Sequence, residues 1–453
     1  KSFACFIQEE AIMKRRAFLL SLLALLIVPA TTSAIESELG IVTSFPKDLF
    51  EPYKKAFEAK YPGTTVNVRS KGTSASIAYV RETTGKPSDI FWASAPDAFE
   101  VLKEEKLLQK YTPPAKIAKA VPEKIGAYPV NDPDGFYRGF AASGYGLMWN
   151  TRYLEAHKLP APKEWDDLAK AIYFGHVGMS APSRSGTTPL TVETLLQGLG
   201  WERGWALVLA LSGNMKAVTE RSFGVPSGVN SGEFGIGVVI DFFGLSSKAS
   251  GFPVEFVYPS VTAVVPANIG IIANASHPQA AKAFVDFVLS EQGQLLLLDP
   301  KIRRLPVLPS AYQKAPADYP NPFKNPAMGS VKFDVMLSKT RYNLVNALFD
   351  AIVTFRHEDI KAAWKAIHEA EAKVVKSEKA KQLLSNAKRL ASSVPITEQQ
   401  AADPNVYGVF KKLAKGKKAT GEMAAWEQKW DSSARNNYAK AAETASQAAQ
   451  AAR

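Results

Sequence analysis

The segment SRSGTTP, residues 183–189, combines hydroxyl side chains, an arginine and a glycine just before a helical pattern. Pro189 suits the first turn of a helix, so Thr187 or Thr188 is the expected N-cap. A helix N-terminus offers free backbone N–H groups and the positive end of the helix dipole, and both attract anions. The segment therefore predicts an anion site, the alternative being a capped helix with a polar loop. The candidate ligands are Arg184, Ser185, Gly186, Thr187 and Thr188.

The same combination recurs in the first part of the chain. SKGTSAS, residues 70–76, follows an alternating strand pattern and begins a helical one. Two short apolar runs are also followed by residues with hydroxyl side chains, one run by Thr43 and Ser44 and the other by Ser94. Ligands of open α/β sheets bind beyond the carboxyl ends of the strands, so these positions are expected to converge on one crevice. The candidates here are Thr43, Ser44, Gly72, Thr73, Ser74 and Ser94.

A glycine-rich stretch, residues 219–243, supplies the remaining candidates. Its five glycines between 224 and 237 predict a backbone that turns tightly. Arg221, Asn230 and Asp241 are candidate ligands, with solvated rim positions as the alternative for the two charged residues. Asp241 would either accept hydrogen bonds from ligand hydroxyls or pair with an arginine.

The motifs of catalysis and cofactor binding do not occur. The sequence has no Gly-x-x-x-x-Gly-Lys-Ser/Thr loop, no His-Glu-x-x-His and no Gly-x-Ser-x-Gly. The five histidines are scattered without metal-ligand spacing. We therefore expect binding rather than catalysis, with no cofactor and no metal. A secreted phosphatase or phosphotransferase is the alternative from another class.

The hydrophobic pattern predicts an α/β protein. Short strands alternate with helices up to about residue 300, which favours a mostly parallel sheet covered on both faces. DAFEVLKEEKLLQKY, residues 97–111, reads as one amphipathic helix. Beyond about residue 330 the patterns are helical, and the Ala-rich tail is expected to fray.

The N-terminal residues read as a secretory signal. Residues 13–34 contain a basic start, an apolar run of about a dozen residues and a small-residue end, typical of a cleaved signal peptide. The alternative, a membrane anchor, would need a longer run. Residues 1–12 precede a plausible start Met and read as upstream or vector sequence; they hold Cys5, the single cysteine.

The charge balance indicates the kind of partner. Loss of residues 1–34 would lower the net charge from +12 to +10, which favours anionic partners. Export argues against nucleic acid as a partner, so none is expected. The predicted location is the periplasm, as a soluble protein.

Several longer motifs resemble the extracellular solute-binding proteins of bacterial ABC importers. GLMWNTRYL followed by PKEWDDLAK, and HPQAAKAFVDFVLSEQGQ, are typical of that family. SRSGTTPLTVETLLQGLGW, RSFGVPSGVNSGEFGIGVVIDFF and RYNLVNALFDAIVTFR resemble its branch for phosphoglycerate transport regulation. The resemblance implies a two-lobed fold whose chain crosses twice between the lobes. The implied segments are residues 35–143 for lobe 1, 144–260 for lobe 2, 261–330 for the return to lobe 1, and 331–453 for a helical extension.

The resemblance also implies a ligand and partners. The ligand would be a small phosphorylated organic anion such as phosphoglycerate, held by the Thr43/Ser44 loop, Thr73–Ser74 and Ser185–Thr188. The partners would be an ABC transporter permease and a membrane sensor kinase. Other members bind ferric iron through adjacent tyrosines, and iron(III) is the alternative ligand. This sequence has no adjacent tyrosines, and the corresponding zone reads IDFFG.

Overall fold

The computed structural model describes residues 35–82, 88–126, 128–373, 377–410 and 418–452, without the side chains of residues 326 and 327. The predicted signal peptide and Cys5 lie outside the described residues. The described residues from Ser37 onwards form one compact unit.

The strands follow the short apolar runs of the sequence. β1 is typical, because the run Leu39–Val42 is fully buried within it. The strands are β1 Glu38–Thr43, β2 Thr65–Ser70, β3 Ile90–Ala93, β4 Leu108–Gln109, β5 Lys124–Ile125, β6 Tyr128–Pro129, β7 Arg138–Asn150, β8 Val177–Ser180, β9 Met215–Thr219, β10 Ile236–Ile240, β11 Val254–Val257, β12 Val264–Ile272 and β13 Leu305–Pro306.

Among the described residues, eleven strands form one sheet, with the central order β2-β1-β3-β12-β7-β10-β8-β9. The long strand β7 joins two groups of strands. Its first half pairs with β12 and its second half with β10, both antiparallel. We call β1–β4, β12 and β13 the first strand set, and β8–β11 the second strand set. Parallel pairs occur within each set, as in β1–β2 and β8–β9.

The helices lie between and beyond the strands. They are α1 Lys47–Lys60, α2 Thr73–Glu82, α3 Pro96–Glu104, α4 Ala115–Ala118, α5 Thr151–Ala156, α6 Thr188–Leu199, α7 Trp201–Gly213, α8 Gly224–Ser231, α9 Asp241–Ala249, α10 Pro278–Leu289, α11 Glu291–Leu296, α12 Val335–Phe349, α13 His357–Glu371, α14 Glu378–Ala391, α15 Glu398–Ala401, α16 Pro404–Tyr407 and α17 Gly421–Ala451.

Two sequence expectations about the elements before residue 300 were wrong. The helix predicted over residues 97–111 ends at Glu104, because Lys106 takes a positive φ of 58° and the chain then enters β4. The sheet is not mostly parallel, because β7 and β12 pair antiparallel with their neighbours. In the glycine-rich stretch, the expected tight turn occurs at Gly232, which has a φ of 74°, and the residues before it form α8.

The helical extension packs onto the second strand set and also reaches the first. α13 packs against α7, and α17 packs along α13 and α14. The Ala-rich tail does not fray: Ala441, Ala445 and Ala448 are fully buried on one face of the 31-residue helix α17. Between α12 and α13, residues Asp350–Thr354 form a short π-helix.

The carboxyl group of Asp97, in the first turn of α3, is expected to make the stability of the folded protein depend on pH. Its carboxylate accepts hydrogen bonds from Ala98 N at 3.1 Å and from Ser338 Oγ of α12 at 3.5 Å. Burial, with a smaller contribution from Glu193, raises the pKa of Asp97 from 3.8 to about 7. Between these pH values the folded chain holds a proton that the unfolded chain has lost, so stability falls as the pH rises through this window.

Asp97→Asn is therefore expected to stabilise the protein at pH 8, by up to about 4 kcal/mol, and to change its stability little at pH 4. Urea unfolding of both proteins at the two pH values measures the difference. A gain of equal size at both pH values would show that the ionised carboxylate carries no penalty in the fold.

Candidate functional site

The loops beyond β1, β2 and β8 bring the two strand sets into contact. A Cβ atom built on Gly186, after β8, would lie 2.2 Å from Thr73 Oγ1, after β2. A Cβ atom on Gly72 would lie 3.7 Å from Nη2 of Arg221, which follows β9. The hydroxyl-rich loops predicted from the sequence therefore face each other across the junction of the sets. Thr73 Oγ1 is buried there without a hydrogen-bond partner among the described residues.

The loop before α6 caps its own helix. Ser185 Oγ accepts hydrogen bonds from the backbone N–H groups of Thr187 at 3.1 Å and Thr188 at 3.0 Å. Thr187 is the N-cap by position, as predicted, but its own side chain makes no capping bond. Thr188 Oγ1 contacts Ser180 Oγ and Ser185 Oγ. Some of the donors expected to bind an anion are thus engaged within the loop.

The hydroxyl of Thr43, at the end of β1, is also engaged. Thr43 Oγ1 donates to Trp92 O at 2.7 Å and accepts from Phe45 N at 3.1 Å. This pair of bonds fixes the turn that places the Phe45 ring next to Trp92. Ser44 is half-buried at the same turn.

The two predicted arginines point away from the buried part of the junction. Arg184 is exposed, and its Nη1 lies 4.0 Å from the exposed carboxylate of Glu220. Arg221 is exposed and stacks over the ring of Phe223 at 4.9 Å. Asn230 donates from Nδ2 to Ser247 Oγ at 3.0 Å. The roles of these three residues, like those of the other predicted ligands, stay predictions.

Arg304, which sequence reasoning missed, is the cation at the centre of the junction. It precedes β13 and is 1% exposed. Its guanidinium carbon lies 4.5 Å from the ring centre of Phe45, after β1, and 3.7 Å from that of Phe242, in α9. Arg304 therefore lies between residues that follow strands of both sets.

The guanidinium of Arg304 has fewer acceptors than N–H groups to satisfy. Its Nη2 donates to Ser94 Oγ at 3.4 Å, a long bond, whereas Nε and Nη1 have no hydrogen-bond partner among the described residues. Burial lowers the pKa of Arg304 from 12.5 to about 9, although Asp241 acts in the opposite direction. A buried cation with unpaired N–H groups costs folding free energy unless an anion or acceptor is present.

Asp241 is fully buried at the start of α9 and close enough to Arg304 to interact electrostatically. Its carboxylate accepts from Gly144 N at 2.7 Å, Tyr258 OH at 3.0 Å and Phe242 N at 2.7 Å. Burial raises the pKa of Asp241 to about 6, against the effect of these three hydrogen bonds and of Arg304. The carboxylate of Asp241 thus partly compensates the charge of Arg304, although the two side chains are not hydrogen-bonded to each other.

We call Thr43, Phe45, Ser94, Asp241, Phe242 and Arg304 the central site. Of the predicted residues, it contains Thr43, Ser94 and Asp241. Its chemistry is that of anion recognition: a desolvated guanidinium with free donors, two aromatic faces and neighbouring hydroxyls. Among the described residues, no group of three or more His, Cys, Asp or Glu side chains is placed to hold a metal ion.

The sequence carried only a weak signal for Arg304. The segment KIRRLPVLP has two adjacent arginines, which are usually solvated, followed by the apolar residues of β13. Arg304, the second of these arginines, is buried because Phe45 and Phe242 pack against it. Both phenylalanines lie more than 60 positions away in the chain. No local pattern contains that information.

The comparisons with known proteins identify the class of protein to which this fold belongs. Residues 85–329, more than half of the chain, match the family described as bacterial extracellular solute-binding protein. The chain belongs to this family. Members work with ABC transporter permeases, and they are binding proteins rather than enzymes.

Two curated relatives are informative. The chain is 32% identical over 368 residues to the phosphoglycerate transport regulatory protein PgtC of Salmonella typhimurium, covering 81% of this chain and 88% of the relative. It is 25% identical over 248 residues to an Fe(3+)-binding periplasmic protein of Serratia marcescens, covering 52% of this chain and 70% of the relative.

A solved structure shares the fold. The periplasmic binding protein AfuA from Actinobacillus pleuropneumoniae, solved with exogenous fructose-6-phosphate bound, has a TM-score of 0.58 at 21% identity. The match covers 98% of AfuA but 69% of this chain. The fold is thus the predicted periplasmic-binding-protein fold with a helical C-terminal extension, while the predicted lobe boundaries stay a prediction. No helix in the described part of the chain has the length and apolar character needed to cross a membrane.

Proposed function

We propose that this protein is a periplasmic receptor that binds a small phosphorylated organic anion at the central site and delivers it to an ABC importer. The observation that carries the proposal is the buried guanidinium of Arg304, whose Nε and Nη1 lack partners among the described residues. A phosphate group supplies several acceptor oxygens and a compensating charge, and hydrogen bonds between such ions are among the strongest in proteins.

The position of Arg304 supports binding coupled to closure. Its two ring contacts, Phe45 and Phe242, come from different strand sets. An anion reaching a side chain that is 1% exposed requires the two sets to separate, and their return removes the anion from water. Binding then shifts the balance towards the closed form, which the permease recognises.

The remaining predicted ligands give the site its polar surroundings in this proposal. Ser94 already contacts Arg304, and Asp241 is available to a hydroxyl of the organic group. The loops 72–74 and 185–188 close the junction on one side, with Thr73 Oγ1 as a free buried hydroxyl in the described structure. The names of PgtC and of the sugar-phosphate-bound AfuA support a phosphate ester as the ligand class. A membrane sensor kinase is the proposed second partner.

The alternative ligand, ferric iron, is supported by the name of the Serratia relative. The donors of the central site argue against it. Arg304 is a cation, and α9 begins Asp-Phe-Phe, where the iron binders' tyrosine pair is expected. Ferric iron prefers anionic oxygen ligands, and a neighbouring guanidinium would repel it.

Isothermal titration calorimetry of the exported protein tests the proposal with 3-phosphoglycerate, phosphoenolpyruvate, fructose-6-phosphate, glycerate and ferric citrate. We expect at least one phosphate ester to bind, and glycerate, which lacks the phosphate, to bind much more weakly. Assaying the same mixtures for released inorganic phosphate separates binding from phosphatase activity. Binding of ferric citrate alone would contradict the proposal.

A further inference from the structure

The C-terminal extension contains a helix that contacts both strand sets. α12 begins at Val335, beyond the residues 85–329 that match the family. AfuA is matched over 98% of its own length while 31% of this chain stays unmatched, so the present chain carries additional sequence relative to that neighbour. Within this C-terminal part of the chain, α12 lies against both α3 and α6.

The contact of α12 with α6, on the second strand set, is buried and strong. Arg341 binds the Glu193 carboxylate through Nε at 3.1 Å and Nη2 at 2.7 Å, and both side chains are 4% exposed. Asp334 exchanges two hydrogen bonds with the Gln197 side chain, at 2.6 and 2.9 Å. Breaking a buried, doubly hydrogen-bonded ion pair is costly, so α12 stays with α6.

The polar contacts of α12 with α2 and α3, beside the first strand set, are weaker than those with α6. Ser338 Oγ reaches Asp97 of α3 at 3.5 Å, a marginal hydrogen bond. Lys339 pairs with Glu104 at 2.9 Å, but Glu104 is 69% exposed, and such surface pairs contribute little. Tyr342 interacts with Ser74 at the start of α2. Each of these polar contacts is weaker than the Arg341–Glu193 ion pair, although α12 also packs along α3.

We propose that α12 is a latch, fixed to the second strand set through α6, which holds the first strand set through α2 and α3 when the site is closed. This rests on the proposed function, because solute access to Arg304 requires the sets to separate. The latch contact must then release on opening, and its strength sets how long the closed form lasts. Ser74, a predicted ligand residue, links the latch directly to the loop that faces Gly186.

Cross-linking tests the latch. In a chain carrying Cys5→Ser, the pair Lys339→Cys and Glu104→Cys joins α12 to α3 when treated with a short bismaleimide. The matched control, Gln197→Cys with Asp334→Cys, joins α12 to α6. Two readouts are compared before and after linking: the association rate of 3-phosphoglycerate, and amide hydrogen exchange in residues 71–74 and 185–188.

We expect the α12–α3 link to slow both association and exchange at least tenfold, and the α12–α6 link to change neither by more than twofold. Exchange within twofold of the unlinked protein after α12–α3 linking would overturn the latch. If 3-phosphoglycerate does not bind, the association rate is measured with the phosphate ester that calorimetry identifies. If no phosphate ester binds, the proposed function is wrong, whereas the exchange measurement still decides the latch.

Discussion

Arg304→Met is expected to weaken binding of a phosphate ester by roughly a hundredfold or more, because it removes the buried charge that the phosphate would neutralise. The same substitution is expected to stabilise the ligand-free protein by about 1–3 kcal/mol, since it replaces a buried cation with unpaired N–H groups by an apolar side chain. The buried carboxyl group of Asp241, whose pKa is already raised to about 6, is then expected to take up a proton and so to carry no uncompensated charge. Opposite changes in affinity and stability distinguish a binding residue from a structural one.

The adjacent Arg303 provides a matched control for that experiment. Arg303→Met removes the same formal charge one position away, where the side chain stacks over Tyr319 at 5.2 Å. We expect calorimetry to find affinity close to that of the parent. If Arg304→Met binds phosphate esters as the parent does, or if it loses stability without ligand, Arg304 is a structural residue and the central site is misassigned.

Gly186→Ala is expected to weaken binding by on the order of tenfold to a hundredfold, because overpacking of a close contact costs 1–3 kcal/mol. The new Cβ would lie 2.2 Å from Thr73 Oγ1 across the junction, so closure must displace one loop. The substitution adds one methyl group and needs no unusual backbone angle. The loss therefore measures the contact between the two loops in the bound form.

Two further variants make this test specific. Thr73→Ala removes the oxygen that clashes, so the double variant with Gly186→Ala is expected to recover most of the affinity. Gly72→Ala lies in the same loop cluster, but its Cβ would meet Arg221 at an ordinary 3.7 Å, so it should bind as the parent does. Unchanged affinity in Gly186→Ala alone would mean that the loops do not meet when ligand is bound.

The sequence predicted the parts of the fold that local patterns determine. β1, β2 and β3 follow short apolar or alternating runs, and α2 and α6 begin at the small polar residues identified for them. The prediction of one long helix over residues 97–111 was wrong because Lys106 has a left-handed backbone conformation. No residue near Lys106 in the sequence marks that conformation. The prediction that the Ala-rich tail frays was wrong because an alanine-rich sequence shows only a weak apolar pattern. The tail is ordered by packing against α13 and α14, which its own sequence does not reveal.

The site was predicted less completely than the fold, for a physical reason. The loops 72–74 and 185–188 are recognisable because helix starts have their own composition, and the structure brings them together at Thr73 and Gly186. Arg304 is defined by tertiary burial between Phe45 and Phe242. Arginine is ordinarily a surface residue, so the sequence alone favoured the exposed Arg184 and Arg221 instead.

The central claim is that the phosphate lies against Arg304, and a crystal structure of the protein with bound 3-phosphoglycerate tests it most directly. We predict density for the phosphate within hydrogen-bonding distance of Arg304 Nε or Nη1, between Phe45 and Phe242. A phosphate bound elsewhere, with the Arg304 guanidinium still without an acceptor, or a metal ion in the site, would contradict the account.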